Sequence, residues 1–265
     1  MFNFNKKILY IILGVFVLVN IVGRLNSTDS ILTLLLTLPA ILIAITFHEF
    51  AHAFAADKLG DSTPRNQGRL TLNPIKHIDP FGFALLIIAG FGWGKPVQVN
   101  PRNFKRNITM TKGEAIVSFA GPLMNLVLAF VSAIIFAICV KYDLLANMTI
   151  RARFLVQIFL LELVLINVGL GLFNLIPLPP LDGSKILNHF LPYNVRNWFD
   201  KNQQVLYIVF LLIWVTGLAS VIITPCIQGV SNGIFYVVGK MFGLNLIWFN
   251  LIYKIDKLNL IEKLI

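Results

Sequence analysis

The sequence predicts an all-α polytopic membrane protein, with about six transmembrane helices in a single domain that covers residues 1–265. Hydrophobic residues make up 57% of the chain and charged residues 13%, a balance typical of membrane proteins and not of soluble domains. The formal net charge is +10, but Lys and Arg stand mostly between the apolar runs, where they can anchor cytoplasmic loops, so we expect no nucleic acid partner. Six apolar runs predict the spans: residues 8–23, 31–56, 115–140, 154–176, 205–223 and 233–253.

The first two runs differ in what surrounds them. Residues 8–23 follow two lysines, as the core of a signal peptide does, but no clear small-x-small cleavage site follows, and we interpret the run as a short retained span. Residues 31–56 are long enough to cross a bilayer, and Glu49 is their only formally charged side chain. A charge pair and Gly60 mark the end of this second span.

A His-Glu-x-x-His motif lies near the C-terminal end of the second span. On a helix, His48 and His52 project from one face and can share one zinc ion, while Glu49 can reach a water on that ion. An acidic residue at the centre of a span costs on the order of 2.5 kcal/mol or more, and metal binding would offset that cost. The alternative is a helix whose polar residues only pair with neighbouring helices.

Residues 57–112 form the largest polar region, which the positive-inside rule places in the cytoplasm. Within it, residues 81–93 are apolar but too short to span, which predicts a re-entrant or interfacial segment. Residues 95–101 alternate between two prolines, as an edge strand or an extended loop would, and we expect a short β-like element there. Such an edge could pair with an extended peptide, or the loop could cap the bundle without touching a substrate. The basic residues of this region are Lys58, Arg65, Arg69, Lys76, Lys95, Arg102, Lys105, Arg106 and Lys112.

The third and fourth spans carry polar residues at notable positions. In residues 115–140, Asn125 stands in an apolar row and can hydrogen-bond a neighbouring helix. Residues 154–176 contain Asn174 and lead into a proline-rich turn that brings Asp182 back to the depth of the helix end. Asp182 is either a metal ligand or the N-cap of a helix over residues 184–190, and sequence periodicity leaves both open.

The last two runs complete the predicted topology. A Thr224-Pro225 break ends the fifth span, and residues 233–253 form a sixth span or an interfacial amphipathic helix. Six spans place the N-terminus, the large polar loop and the Lys-rich C-terminus in the cytoplasm. The basic residues left outside are Arg24, Lys141, Arg151 and Arg153.

This topology brings three potential ligands to one depth. The C-terminal ends of the second and fourth spans face the same side, so His48, His52 and Asp182 can form a site with three protein ligands and one open position. Cys139 and Cys226 both stand in apolar surroundings, so the sequence indicates neither a Cys-type zinc site nor a disulfide framework. Any metal must therefore be held by histidine and carboxylate.

Four ordered blocks of this chain resemble the site-2 protease family of intramembrane zinc metalloproteases, in the small bacterial and archaeal type without a PDZ insertion. The blocks are HEFAHA at 48–53, NPIKHIDP at 73–80, AGPLMN at 120–125 and NLIPLPPLDG at 174–183. The resemblance implies a catalytic core at about 31–190, with accessory spans in 1–30 and 204–265.

The resemblance also implies a role for each site residue. His48, His52 and Asp182 would bind one zinc ion, and Glu49 would be the catalytic base and acid. Asn174 would hold the substrate or stabilise the oxyanion, and we place Asn125 with it in that role.

We therefore expect a multi-pass cell-membrane endopeptidase that cleaves transmembrane segments of other membrane proteins, with its N-terminus and its active-site access in the cytoplasm. Its expected partners are a transmembrane protein substrate and membrane lipid, and glycine spacings at 229–233 and 239–243 allow a homo-oligomer. The rival is a non-proteolytic protein of the same fold that binds metal or client helices. An intact Glu49 argues against that rival, because a metal carrier needs no carboxylate next to a ligand.

Overall fold

The computed structural model describes residues 28–89 and 93–244, which are mostly helical. The helices are, in chain order, α1 (Thr28–Lys58), α2 (Thr63–Asn66), α3 (Pro80–Ala89), α4 (Met110–Lys141), α5 (Ile150–Asn174), α6 (Asp182–Phe190), α7 (Tyr193–Lys201), α8 (Gln203–Val215) and α9 (Leu218–Phe242). Two 3₁₀ turns, Pro74–Lys76 and Pro101–Asn103, lie in the loop between α1 and α4. The fold of the described residues is thus all-α, as the composition predicts.

Four helices are long and apolar enough to cross a membrane by length and composition: Thr37–Lys58 within α1, and the whole of α4, α5 and α9. The first three correspond to the predicted second, third and fourth spans. Threonine caps start two of them, since the Thr109 side chain accepts from the Lys112 N–H and the Thr149 side chain accepts from the Ala152 N–H. The helices at the heart of the predicted catalytic core are confirmed.

The long helices pack around α4. Helices α1 and α5 both contact α4 and each other, and α9 packs against α4 and α5. A buried cluster joins α4, α5 and α9, and its small alanines let the backbones approach closely. The cluster comprises Ala129, Ala133, Phe136, Ala137, Leu160, Leu161, Val164, Val168, Phe235 and Val238.

The helices after residue 202 have other bounds than the predicted fifth and sixth spans. Helix α8 has 13 residues, about 20 Å at 1.5 Å per residue, which is too short to cross a bilayer. The break lies at Gly217, whose φ of 74° suits glycine, whereas Pro225 lies inside α9. The predicted bounds 205–223 and 233–253 are therefore wrong. The predicted span at 8–23 and residues 245–253 lie outside the described residues.

The predicted re-entrant segment and β-like element are only partly present. Residues 80–89 form the short helix α3, and residues 95–100 have no regular secondary structure and end at Asn100 in an extended conformation. Within 28–89 and 93–244 no strand forms, and the only pairing of that kind is an isolated antiparallel bridge between Ile78 and Gly94. We call residues 95–100 the extended segment. Pro96 within the segment and Pro101 directly after it lack backbone donors, which limits regular pairing.

Candidate metal centre

The three predicted metal ligands converge on one point. The Nε2 atoms of His48 and His52 lie 3.0 Å apart, and the Asp182 Oδ2 atom lies 3.2 Å from the first and 3.1 Å from the second. A tetrahedral zinc ion with bonds of about 2.0–2.1 Å separates its ligand atoms by roughly 3.3 Å. The spacing and the N,N,O donor set therefore fit zinc. Across the described residues, no other group of three such side chains comes this close.

Helix geometry explains how each ligand reaches this point. His48 and His52 are one turn apart on α1, and both are buried, at 5% and 7% exposure. Asp182 is the first residue of α6, which Leu181 precedes as N-cap residue, and α6 packs against α4. The Asp182 carboxylate faces the two imidazoles and does not cap its helix, so the capping interpretation is wrong.

Hydrogen bonds on the far side of each imidazole fix its tautomer. Asn125 donates through Nδ2 to the Ala44 carbonyl and to Asn167 Oδ1, so its Oδ1 is free to accept the Nδ1–H of His48 at 2.6 Å. His52 Nδ1 donates to the Val117 carbonyl at 2.7 Å. Both Nε2 lone pairs are thereby directed to the metal position.

Gly121 lets α4 approach the two histidines. A Cβ atom at this position would lie 2.4 Å from the Nε2 atom of His52 and 2.7 Å from the Cε1 atom of His48. Such contacts are far inside van der Waals distance, and the hydrogen bond from His52 to the α4 backbone requires the close approach. Only glycine is therefore compatible with this ligand arrangement.

Glu49 points to the loop between α1 and α4. Its Oε2 atom accepts the Val97 N–H of the extended segment at 2.8 Å and lies 4.0 Å from Nη2 of Arg69. The same Arg69 nitrogen donates to the Lys95 carbonyl. The carboxylate thus lies between a helix that carries two metal ligands and a loop that covers it.

The sequence model of Peptidase family M50 matches residues 36–217, which include all three ligands and Glu49. The chain belongs to this family. Similar curated proteins include two whose names contain "zinc metalloprotease": YwhC of Bacillus subtilis and Rip2 of Mycobacterium tuberculosis. YwhC is 41% identical over 205 residues, which are 76% of this chain and 90% of YwhC. Rip2 is 31% identical over 210 residues, which are 77% of this chain and 73% of Rip2.

A more distant relative, MJ0611 of Methanocaldococcus jannaschii, also has "zinc metalloprotease" in its name. It is 28% identical over 189 residues, which are 70% of this chain and 84% of MJ0611. No solved structure matches the chain. The family and these relatives make the protein a zinc peptidase with membrane-type helices, as the site-2 protease resemblance implies.

The structure shows the surroundings of two further residues of the predicted site, Asn125 and Asn174. Asn125, which we grouped with substrate binding, is fully buried and contacts His48, so its surroundings indicate a role in orienting that ligand. Asn174 is the last residue of α5, and its Nδ2 donates to Leu170 of the same helix at 3.0 Å. A role for Asn174 in substrate or oxyanion binding stays a prediction.

Sequence reasoning missed three residues of the M50 site. Asn167 continues the hydrogen-bond chain behind His48, and a polar residue inside an apolar span was its only signal. Gly121 stands in one of the resembling blocks without an evident reason. Nothing in the sequence separates Arg69 from the other basic residues of its loop.

Asn125 provides a test of this supporting shell. We expect Asn125→Ala to weaken zinc binding by roughly 10–100-fold, because partners of this kind hold a ligating histidine in its tautomer and orientation. Competition with a chelator of known affinity measures the change. The matched control is Ser132→Ala on the same helix, since Ser132 is also buried and bonds only its own helix, at the Leu128 carbonyl. Equal affinities in the two variants would contradict the orienting role.

Proposed function

We propose that this peptidase hydrolyses peptide bonds within or next to the transmembrane segments of other membrane proteins. The observation that carries the proposal is the position of the metal ligands. His48 and His52 lie inside a helix that is apolar and long enough to cross a membrane, and α4, another such helix, packs directly on them. A site enclosed by membrane helices is best placed for substrates that are themselves in the membrane.

The proposed chemistry divides between the metal and Glu49. Zinc held by His48, His52 and Asp182 supplies, when bound, a Lewis acid and an acidified water. Glu49 accepts a proton from the attacking water and returns it to the nitrogen of the leaving amine. Its Oε2 atom accepts the Val97 N–H, and its Oε1 atom accepts no hydrogen bond from the described residues and is available for that proton.

The extended segment is suited to hold an unwound substrate. Lys95 donates its N–H to the His77 carbonyl at 2.8 Å, and Val97 donates to Glu49, so these alternate residues face the protein. Backbone groups of successive residues in an extended chain point to opposite edges. The N–H and carbonyl of Gln98, next to Val97, make no hydrogen bond within the described residues, so an extended substrate could pair there. Such pairing offsets the cost of several kcal/mol for unpaired backbone groups in hydrocarbon.

A buried carboxylate anchors the far end of this segment. Asp61 is fully buried and accepts the Asn100 N–H at 2.7 Å. Burial alone would raise the pKa of the Asp61 carboxyl, but hydrogen bonds from Thr63, Asn100 and Asn103 hold it below its usual value. The anchor is therefore charged and intact throughout the physiological pH range.

Cleavage assays test the proposal. Purified protein and its Glu49→Gln variant are incubated with candidate membrane substrates in lipid vesicles, and zinc is measured in both. We expect cleavage by the unchanged protein only, within or beside the substrate's transmembrane helix. The candidate substrates are membrane proteins that stay uncut in cells that lack the enzyme. If both proteins contain equal zinc and neither cleaves any of these candidates, the proposal is rejected and a binding role is favoured.

We further propose a multi-pass topology with the N-terminus and the active-site access in the cytoplasm. The loop between α1 and α4 carries most of the basic residues of the middle of the chain, which supports its cytoplasmic location. The ion pair between Asp57, at the end of α1, and Arg65 is 2.6 Å long and lies on the side that we assign to the cytoplasm.

Single cysteines test the orientation, in a protein whose Cys139 and Cys226 are replaced. Exposed positions Arg65 and Arg106 should react with a membrane-impermeant thiol reagent only from the cytoplasmic face, and exposed Arg151 only from the other. Labelling is measured in intact cells and in inverted vesicles. Reaction at position 106 in intact cells would invert the topology and the direction from which water reaches the site.

A further inference from the structure

Arg69 is a buried cation between Glu49 and the extended segment. Only 4% of the residue is exposed. Its Nη2 atom donates to the Lys95 carbonyl and lies 4.0 Å from Glu49 Oε2, and its Nε atom is buried with no partner among the described residues. Lys and Arg are rarely buried unless paired. The positive-inside rule accounts for a basic residue in this loop, but it does not explain why the Arg69 guanidinium is buried.

The local backbone directs Arg69 inward. Gly68 adopts a φ of +66°, and the Arg69 N–H donates to the Pro64 carbonyl at 2.8 Å, which closes the turn after α2. Arg65, in the preceding turn, points outward instead and pairs with Asp57, with 62% of its side chain exposed. Two arginines of one short stretch thus have opposite surroundings.

The contacts of Glu49 and Arg69 form one connected set. Val97 donates to Glu49 Oε2, Lys95 accepts from Arg69, and the two charged groups face each other. The extended segment is therefore held at two alternate residues by two side chains of opposite charge. A shift of the segment would move the Glu49 carboxylate with it.

We propose that Arg69 is a positioning residue, which holds the extended segment against Glu49 and so aligns the substrate-pairing edge with the catalytic carboxylate. The proposal rests on the proposed function, because it assigns substrate pairing to this segment. Within the described residues, Arg69 makes no hydrogen bond or ion pair with His48, His52 or Asp182. Its loss should therefore leave the metal bound while the segment and Glu49 lose their common orientation.

Hydrogen–deuterium exchange tests the holding role without any cleavage. In the full-length protein in lipid nanodiscs, Arg69→Met should raise the exchange rate of peptides that cover 95–100 by at least about tenfold, since the clamped amides become free to open. Arg65→Met is the matched control and should leave that rate unchanged. Equal exchange in both variants would overturn the proposal. General unfolding is recognised by increased exchange in the α4 and α5 peptides and also counts against it.

Cleavage kinetics test the alignment. Arg69→Met should keep its zinc and its melting temperature but lower kcat by about 100-fold, with KM changed less than about threefold on a short peptide. Arg69→Lys should recover part of that loss, because it restores a cation and a donor. A merely structural role predicts lost zinc or stability, and no recovery by lysine, and either result would overturn the proposal.

A double-mutant cycle separates coupling from independent damage. Val97→Pro removes the N–H that bonds Glu49, so it should reduce kcat as Arg69→Met does, and the double variant should be little worse than either alone. Independent, multiplicative losses would contradict the shared role. If the unchanged enzyme cleaves nothing, the proposed function fails, while the exchange experiment still decides whether Arg69 holds the segment.

Discussion

Asp182→Ala and His52→Ala proteins should each be purified with little zinc, below about 0.1 ion per chain, while Glu49→Gln should retain about one. The difference follows from the geometry, because Asp182 Oδ2 lies within 3.2 Å of both imidazole nitrogens and Glu49 Oε2 instead contacts Val97. Removing one ligand leaves two protein donors, too few for a stable site. Replacing Glu49 leaves the donor set complete but removes the proton acceptor, which should reduce cleavage by about 10²–10⁴-fold.

Metal analysis after gel filtration in metal-free buffer measures these contents. Asp57→Ala is the matched control, since Asp57 is a carboxylate near the end of the same helix that pairs with Arg65 and not with the histidines. It should keep its zinc. Full zinc in Asp182→Ala would show that the carboxylate does not bind the metal.

Gly121→Ala should abolish zinc binding although it changes no ligand. The added methyl group would lie 2.4 Å from the His52 Nε2 atom, and this atom is one that must face the metal. The α4 backbone cannot retreat without losing the bond from His52 to the Val117 carbonyl, which fixes the tautomer. We therefore expect Gly121→Ala to lose as much zinc as His52→Ala does. This is a large effect for the addition of one methyl group.

The control for this variant is Gly169→Ala on α5. There the new Cβ atom would meet its nearest neighbour, Ile227 Cδ1, at 3.4 Å, an ordinary contact. Alanine is also the better helix former, so the control should bind zinc normally and unfold at the same temperature or above. Zinc content and thermal unfolding in detergent are measured for both. Normal zinc content in Gly121→Ala would show that metal binding does not depend on the close contact between Gly121 and the two histidines.

The sequence predicts the metal-binding helix well because two local rules determine it. Length and apolar composition locate α1, α4 and α5 to within a few residues of their observed bounds. A four-residue separation places His48 and His52 on one face of any helix. Asp182 is different, since a carboxylate before a helix can cap it or bind a metal, and only the packing of α6 on α4 distinguishes the two.

Other features depend on partners that are distant in sequence. Asn125 bonds a histidine 77 residues earlier in the chain, so its role in orienting His48 is not evident from its own helix. The position of the break before α9 also cannot be predicted from the sequence, because Gly217 and Pro225 are both helix breakers and either could end the preceding helix. Membrane helices tolerate proline when other groups satisfy the freed carbonyl, and here the glycine with positive φ makes the break.

The separation of the metal ligands along the chain determines when the complete site can form during translation. Asp182 follows His48 by 134 residues, and a ribosome that adds 5–20 residues per second needs roughly 7–27 s to make that stretch. During this interval α1 already carries its two imidazoles and Glu49, but the third donor does not yet exist. A nascent chain therefore cannot assemble the complete metal site until α5 and the turn that follows it have been synthesised.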